Sequence, residues 1–317
     1  MPDSPERMTE FARDVLAGMA SSPKHLSSKY FYDDAGSRIF QEIMEMAEYY
    51  LTDAESEIFE KQAKEIADAI SDADHFKIIE LGAGDGSKTF HLLKELIGQR
   101  DSFVYTPVDI SEEVVRQLRN NLVQQLEGLT IEPVIGDYFQ VLGKPALADT
   151  RNVLFFLGSN LGNYDADRAE KLLKLFNNYL NPGGKLLIGL DLQKNPNTIR
   201  RAYDDEDGIT ARFNLNLLTR INRELGADFD LDKFDFYCHY NPTNGEVKSY
   251  LVSLEAQPVS ICDQQFELAE NELIWTELSK KYTLQEVDQL AESTGFKVER
   301  NYLDSKKYFV DSLWVKQ

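Results

Sequence analysis

Phe76-Lys77-Ile78-Ile79-Glu80-Leu81-Gly82-Ala83-Gly84-Asp85-Gly86 is the stretch on which the reading of this chain turns. A short apolar run passes directly into three glycines at alternate positions. A helical stretch, 88–97, follows. Glycines let the backbone turn sharply and approach a ligand with no Cβ in the way. The same rhythm of buried run and helix then repeats. Phe103–Asp109 is followed by a helix over 112–126, and 130–135 is a third run. A fourth, 153–157, is followed by a helix over 166–180, and Lys185–Asp191 is a fifth, after the turn Asn181-Pro182-Gly183-Gly184. Short apolar strands alternating with helices predict a parallel sheet covered on both faces.

Outward from this core the pattern changes. Residues 1–70 read as helical, with Thr52-Asp53-Ala54-Glu55 as a capped helix start. Between 193 and 275 the alternation breaks into a helix near 208–224 and strands such as 248–255. It resumes with a helix over 283–293 and two final strands, 297–302 and 308–315, joined by a polar turn around Ser305-Lys306. The expected organisation is an α/β core over 60–192 and 282–317. A discontinuous α+β substrate module is expected over 1–59 and 193–281.

Composition removes several classes. The 317 residues carry 34 Lys+Arg against 54 Asp+Glu, a net charge of −20. Such a surface repels phosphate backbones and anionic bilayers, so neither nucleic acid nor membrane is an expected partner. Only Cys238 and Cys262 are present, which gives no disulfide framework and fits a reducing compartment. His25, His75, His91 and His239 share no metal-ligand spacing, so no metal is expected. The first residues carry charges through their apolar positions and do not read as a signal peptide. A cytoplasmic monomer is the expectation.

Two ligand classes compete for the glycine loop. A dinucleotide fold wants GxGxxG with pyrophosphate on the helix N-terminus. Here the spacing is GxGxG, with Glu80 before the loop and Asp85 within it. Those acids repel a pyrophosphate and suit a cofactor with a cationic amino-acid end, S-adenosylmethionine. Gly82 and Gly84 would approach it. Lys88, one turn into the helix, is a candidate for its carboxylate or a solvated helix residue. Asp109, closing the second strand, can accept from both ribose hydroxyls. Asp137, after Gly136, can accept from the adenine amino group, with the Tyr138 ring over the adenine face. Asp85 has a plainer alternative as a helix cap. The combination points to an S-adenosylmethionine-dependent methyltransferase. A dehydrogenase and a non-catalytic relative are the alternatives.

Several further segments exceed a generic methyltransferase. They include Tyr30-Phe31-Tyr32-Asp33 with Phe40, Glu48-Tyr49-Tyr50-Leu51-Thr52, and Phe156-Leu157-Gly158-Ser159-Asn160-Leu161-Gly162-Asn163. Arg201-Ala202-Tyr203-Asp204-Asp205 and Trp275-Thr276-Glu277-Leu278-Ser279-Lys280-Lys281-Tyr282 complete the set. Together, from about Pro23 onward, the chain resembles the histidine-specific N-alpha-methyltransferases of ergothioneine biosynthesis. That family also includes fungal enzymes acting on a prenylated tryptophan. The resemblance implies a Rossmann-like class I methyltransferase core with an inserted substrate-binding domain. It implies that Tyr49, Asn163 and Tyr203 hold the substrate α-carboxylate. Tyr32, Phe40 and the Gly158 carbonyl would surround the α-amino group, and Glu277 with Ser279 would grip the imidazole. For the cofactor it points to Gly82, Lys88, Asp109, Asp137 and Tyr138.

The residue types suit those roles. Two phenols and a carboxamide form a neutral donor cradle for a carboxylate. A carboxylate beside a hydroxyl can satisfy both imidazole nitrogens. Read without the resemblance, Glu277 is a helix-surface charge. The family usually carries a methionine near 246–251, where this chain has Ser249, which polarises or enlarges the ring pocket. Glu277 and Ser279 still favour histidine over an indole. Tyr32 is the candidate catalytic residue, orienting the amine and passing its proton to water. The expected product is the trimethylated betaine. Methylation of another amino acid, such as a tryptophan derivative, and a non-catalytic amino-acid-binding relative stay open.

Overall fold

The computed structural model describes residues 8–71, 75–99, 103–142 and 151–317, except the side chains of 139 and 140. The start of the predicted N-terminal helical region, 1–7, lies outside them. The described helices are α1 (Glu10–Ala20), α2 (Asp34–Glu45), α3 (Tyr50–Ile70), α4 (Thr89–Gln99) and α5 (Glu112–Gln125), then α6 (Tyr138–Leu142), α7 (Ala166–Tyr179), α8 (Pro196–Tyr203), α9 (Ile209–Leu225) and α10 (Leu284–Ser293). The strands are β1 (Phe76–Leu81), β2 (Phe103–Asp109), β3 (Thr130–Ile131), β4 (Val134–Ile135), β5 (Arg151–Phe156) and β6 (Lys185–Asp191). They continue with β7 (Phe234–Asn241), β8 (Glu246–Ser253), β9 (Gln257–Ile261), β10 (Gln264–Leu268), β11 (Leu273–Lys280), β12 (Phe296–Leu303) and β13 (Phe309–Lys316). Among the described residues no helix is long and apolar enough to cross a membrane.

The chain divides into two compact units. The core unit comprises Leu51–Gln193 and Lys280–Gln317. Its sheet has the order β12-β13-β6-β5-β1-β2-β3, with β4 also on β2. The β1, β2 and β5 pairings and the β5–β6 pairing are parallel, whereas β13 runs antiparallel to both β6 and β12. This is the Rossmann-like α/β class that the strand-helix rhythm predicts. The chain leaves β1 toward β2 but returns to β5 on the other side. The loops after β1 and β5 therefore flank a topological switch point, where open α/β sheets take ligands. One core layer includes Ile58, Phe59 and Ile66 of α3 against Ile78, Tyr105 and Phe155. The other packs Leu172 and Phe176 of α7 against Ile79, Leu154 and Ile188.

Local chemistry sets the ends of these elements. Ser111 Oγ accepts from Val114 N at 3.3 Å and Asp165 Oδ1 from Arg168 N at 2.9 Å, capping α5 and α7. Thr283 and Glu286 form a capping box on α10. The predicted third strand is split in two because Pro133 has no N–H to give the ladder. The predicted start of α3 at Thr52 is two residues late. Glu55, read there as a cap partner, lies inside the helix and is 1% exposed. Because α3 buries Ile58, Phe59 and Ile66 under the sheet, the core unit begins at Leu51 rather than at residue 60.

The second unit comprises Met1–Tyr50 and Lys194–Ser279. It holds the sheet β11-β8-β7 and the β9–β10 hairpin. Phe213, Leu217 and Ile221 of α9 share a core with Phe11 and Val15 of α1, Phe31, and Leu251 of β8. Alternating burial along β8, with Val247, Ser249, Leu251 and Ser253 inside, is the two-residue period of a half-buried strand.

Candidate functional site

In the core unit the expected cofactor residues are placed largely by backbone geometry. Gly82, Gly84 and Gly86 have φ values of +70°, +56° and +72°, a region that favours glycine. Gly82 N donates to Val108 O at 2.8 Å, which ties the loop to the end of β2. A Cβ on Gly84 would meet nothing within 4 Å, so its outer side is open. Gly86 is closed instead, since a Cβ there would lie 3.0 Å from Leu118 Cδ1. Asp109 Oδ1 accepts from Ser111 N at 3.0 Å, and Oδ2 accepts weakly from Gly84 N at 3.4 Å. Asp109 O also accepts from Gly136 N at 3.0 Å, which joins the second and third strand ends. Asp137 follows, and Tyr138 opens α6 with its hydroxyl bonded to Tyr164 Oη. Burial first, and Tyr164 second, raise the Tyr138 phenol and keep it protonated. An open glycine loop beside two strand-end carboxylates suits a ligand carrying an amino group, a ribose and an adenine.

Two acids depart from their expected roles, and a third enters that was not expected. Glu80 does not face the loop. It is 4% exposed and accepts from Tyr105 Oη at 2.6 Å and Thr89 Oγ1 at 2.8 Å. Burial raises its pKa to about 7 against those hydrogen bonds. Asp85 is exposed and accepts from Ser87 N at 3.0 Å and Ser87 Oγ at 2.7 Å, closing a local turn before α4. Glu55, absent from the expected set, forms an ion pair with Lys88 and accepts from Gly158 N at 2.6 Å. Lys88 is therefore already paired within the protein. Burial works to lower its pKa, but Glu55 outweighs that and leaves it raised.

The loop after β5 carries Gly158 and Asn163. Gly158 and Ser159 are both left-handed, with φ of +74° and +59°. Asn160 Nδ2 donates to Leu157 O at 2.9 Å, and Ser159 Oγ accepts from Asp191 N at 3.0 Å. Asn163 ends the 3₁₀ turn Asn160–Asn163 and is exposed.

In the second unit the groups are side chains. Tyr32 meets Phe40 with ring centroids 5.3 Å apart, Phe40 meets Tyr49 at 6.4 Å, and Tyr49 meets Tyr203 at 6.3 Å, all edge-on. Phe213 of α9, missed in the sequence, closes the cluster at 5.6 Å from Tyr32 and 5.8 Å from Phe40. Edge-to-face contacts orient the rings as well as burying them. Tyr203 Oη and Ser279 Oγ are 3.0 Å apart. The Tyr32 residue is 43% exposed, with one side of its ring packed against Phe40 and Phe213. That burial, then Glu277 and Tyr203, raise its pKa, so it stays a neutral phenol.

Glu277 lies on β11, not on a helix, and Ser279 is two residues on, which puts both on one face of the strand. Ser249 is buried on β8 with its hydroxyl unpartnered, and Thr210 Oγ1 on α9 is likewise buried and unpartnered. The Ser249 carbonyl accepts from Thr276 Oγ1 at 3.0 Å. The structure thus gathers Tyr32, Phe40, Tyr49, Tyr203 and Ser279 by direct contact, with Glu277 acting electrostatically on Tyr32. Gly158 and Asn163 belong to the core unit.

Comparison with known proteins agrees with this chemistry. A family model described as "Histidine-specific methyltransferase, SAM-dependent" matches residues 11–316. A histidine N-alpha-methyltransferase of Mycolicibacterium smegmatis is 38% identical, over 89% of this chain and 87% of the relative. A protein of the same name from Mycobacterium tuberculosis is 34% identical, over 96% and 94%. Ergothioneine biosynthesis protein 1 of Schizosaccharomyces pombe is 28% identical, over 87% of this chain and 37% of its own length.

Proposed function

We infer, for a chain that belongs to the histidine-specific, S-adenosylmethionine-dependent methyltransferases, that it methylates the α-amino nitrogen of L-histidine. The end product is the betaine hercynine, the ergothioneine precursor. The observation that carries the reading is the family match across residues 11–316, with a neutral phenol cluster in the second unit.

When bound, S-adenosylmethionine supplies an electrophilic methyl on sulfur. Gly82, Gly84, Asp109, Asp137 and Tyr138 are assigned to holding it. Tyr49 and Tyr203 are assigned to the substrate carboxylate, and Glu277 with Ser279 to the imidazole. The core unit's Asn163 and Gly158 carbonyl are assigned as further partners of the carboxylate and amine, and Ser249 to the ring's surroundings. Tyr32 and Phe40 surround the amine. A neutral Tyr32 can accept an N–H bond from the amine and hold its lone pair in line, and the departing proton passes to water. Phenols rather than cations on the carboxylate spare the incoming cationic cofactor a repulsive neighbour. The gain from such a site is chiefly alignment and removal of water. We assign the protein to the cytoplasm, acting as a monomer without a nucleic-acid partner.

The test is incubation of the purified chain with S-adenosylmethionine and, separately, L-histidine, a thiol-substituted histidine and L-tryptophan. Mass spectrometry then counts the added methyls. Histidine gaining three methyls is expected. Turnover of the indole with none of histidine would refute the assignment, and nicotinamide-cofactor binding would revive the dehydrogenase.

A further inference from the structure

Lys88 lies against two buried acids, Glu55 and Asp311, to which the chemistry above gives no role. Glu55 is 1% exposed and Asp311 fully buried. They converge on Gly189 of β6. A Cβ there would lie 2.4 Å from Glu55 Oε1 and 3.0 Å from Asp311 Oδ1. Gly189 is a glycine in mid-strand because two carboxyl groups occupy its side-chain space. One lysine answers two acids. Both oxygens of Asp311 lack a hydrogen-bond partner, and burial, followed by Glu55, raises its pKa well above the carboxylate range. Asp311 is therefore the neutral member, and Lys88 serves Glu55.

The second carboxylate oxygen function of Glu55 is specific. Its Oε1 accepts the Gly158 N–H at 2.6 Å, while Oε2 faces Lys88. Gly158 begins two successive left-handed residues, and Ser159 pays a steric penalty there. Strained backbone of this kind persists only where its surroundings over-determine it. A charge-assisted bond from a buried, ion-paired carboxylate is such a constraint.

We propose that Glu55 is a positioning residue of the methyl transfer: held by Lys88, it fixes the Leu157-Gly158-Ser159 turn through the Gly158 N–H and so aims the Gly158 carbonyl. This rests on the assignment of that carbonyl to the substrate amine. Lys88, which the resemblance assigns to the cofactor, is at the same time the counter-ion of Glu55.

The experiment uses the full chain with Glu55→Gln, which keeps an acceptor but loses the charge, and Glu55→Ala, which loses both. Glu57→Gln, on the same helix and paired with Lys61 and Ser305, is the control. Hydrogen exchange at the Gly158 amide, S-adenosylmethionine affinity by calorimetry, and kcat and KM for histidine are measured on each folded variant. Glu55→Ala is expected to speed Gly158 exchange and lower kcat at least a hundredfold. Glu55→Gln should recover roughly a tenth of the wild-type kcat. Cofactor Kd and histidine KM should stay within about threefold, and the control should match wild type.

Unchanged kcat despite faster exchange overturns the proposal. So does a loss of cofactor affinity in proportion to kcat, which would make the cluster a cofactor site. If the wild type methylates no histidine, the functional assignment fails, while Gly158 exchange still reports whether Glu55 holds the turn.

Discussion

The groups assigned to the cofactor in the core unit are set by its backbone: glycines at positive φ, strand-end main chain, and carboxylates anchored to neighbouring N–H groups. The second unit presents side chains: five aromatic rings in edge contact, a phenol–serine pair and a strand glutamate. Backbone recognition tolerates side-chain change but not a change of conformation. Side-chain recognition is the reverse, so it can set substrate choice while the cofactor site stays fixed. The largest expected effect tests this division. Glu277→Ala should lower kcat/KM for histidine on the order of a thousandfold, about 4 kcal/mol, because an imidazole N–H would lose its carboxylate acceptor. Calorimetric affinity for S-adenosylmethionine should be unchanged. An equal loss in both would erase the distinction between the two regions.

The same division explains what the sequence discloses. The glycine loop, Asp109 and Asp137 are legible because their spacing is local and follows from strand ends. Strand-helix alternation likewise sets the parallel sheet, with β1 and β6 falling on their predicted limits. The second unit is legible only through the resemblance. Tyr32, Tyr49, Tyr203 and Ser279 come from four distant segments that meet through packing, which no local period encodes. Phe213 reads as one more apolar position of an amphipathic helix. Glu80 was misplaced because the residue preceding a loop need not face it; the pleat turns this one inward. Gly189 was the available signal for Glu55 and Asp311, since a glycine inside a buried strand marks close approach by something else.

The regions also differ in how they treat buried charge, and pH separates them. The core unit buries Glu80 with a pKa raised from 4.5 to about 7. A raised carboxyl pKa means the folded state holds a proton that the unfolded chain has released. This group's contribution is whole below pH 4.5, falls as pH rises toward about 7, and is flat above. The loss across that window is roughly 3 kcal/mol. Glu80→Gln removes the titration, so its unfolding free energy relative to wild type should climb between pH 4.5 and 7. Denaturant unfolding at several pH values measures this, and parallel curves for the two proteins would contradict it.

The smallest effect is the most diagnostic of backbone recognition. Gly84 sits at φ +56° with open space where a Cβ would go. Alanine there meets no clash within the protein, so its folded-state cost is the left-handed strain alone, roughly 1 kcal/mol. That strain should lower the thermal midpoint slightly. The added methyl would project into the space assigned to the cofactor. S-adenosylmethionine should then bind about tenfold more weakly, about 1.4 kcal/mol, with histidine KM at saturating cofactor unchanged. A midpoint shift with unaltered cofactor affinity would show that the open side of Gly84 faces water rather than ligand. The contrast between the regions would then rest on Gly82 and the strand-end acids alone.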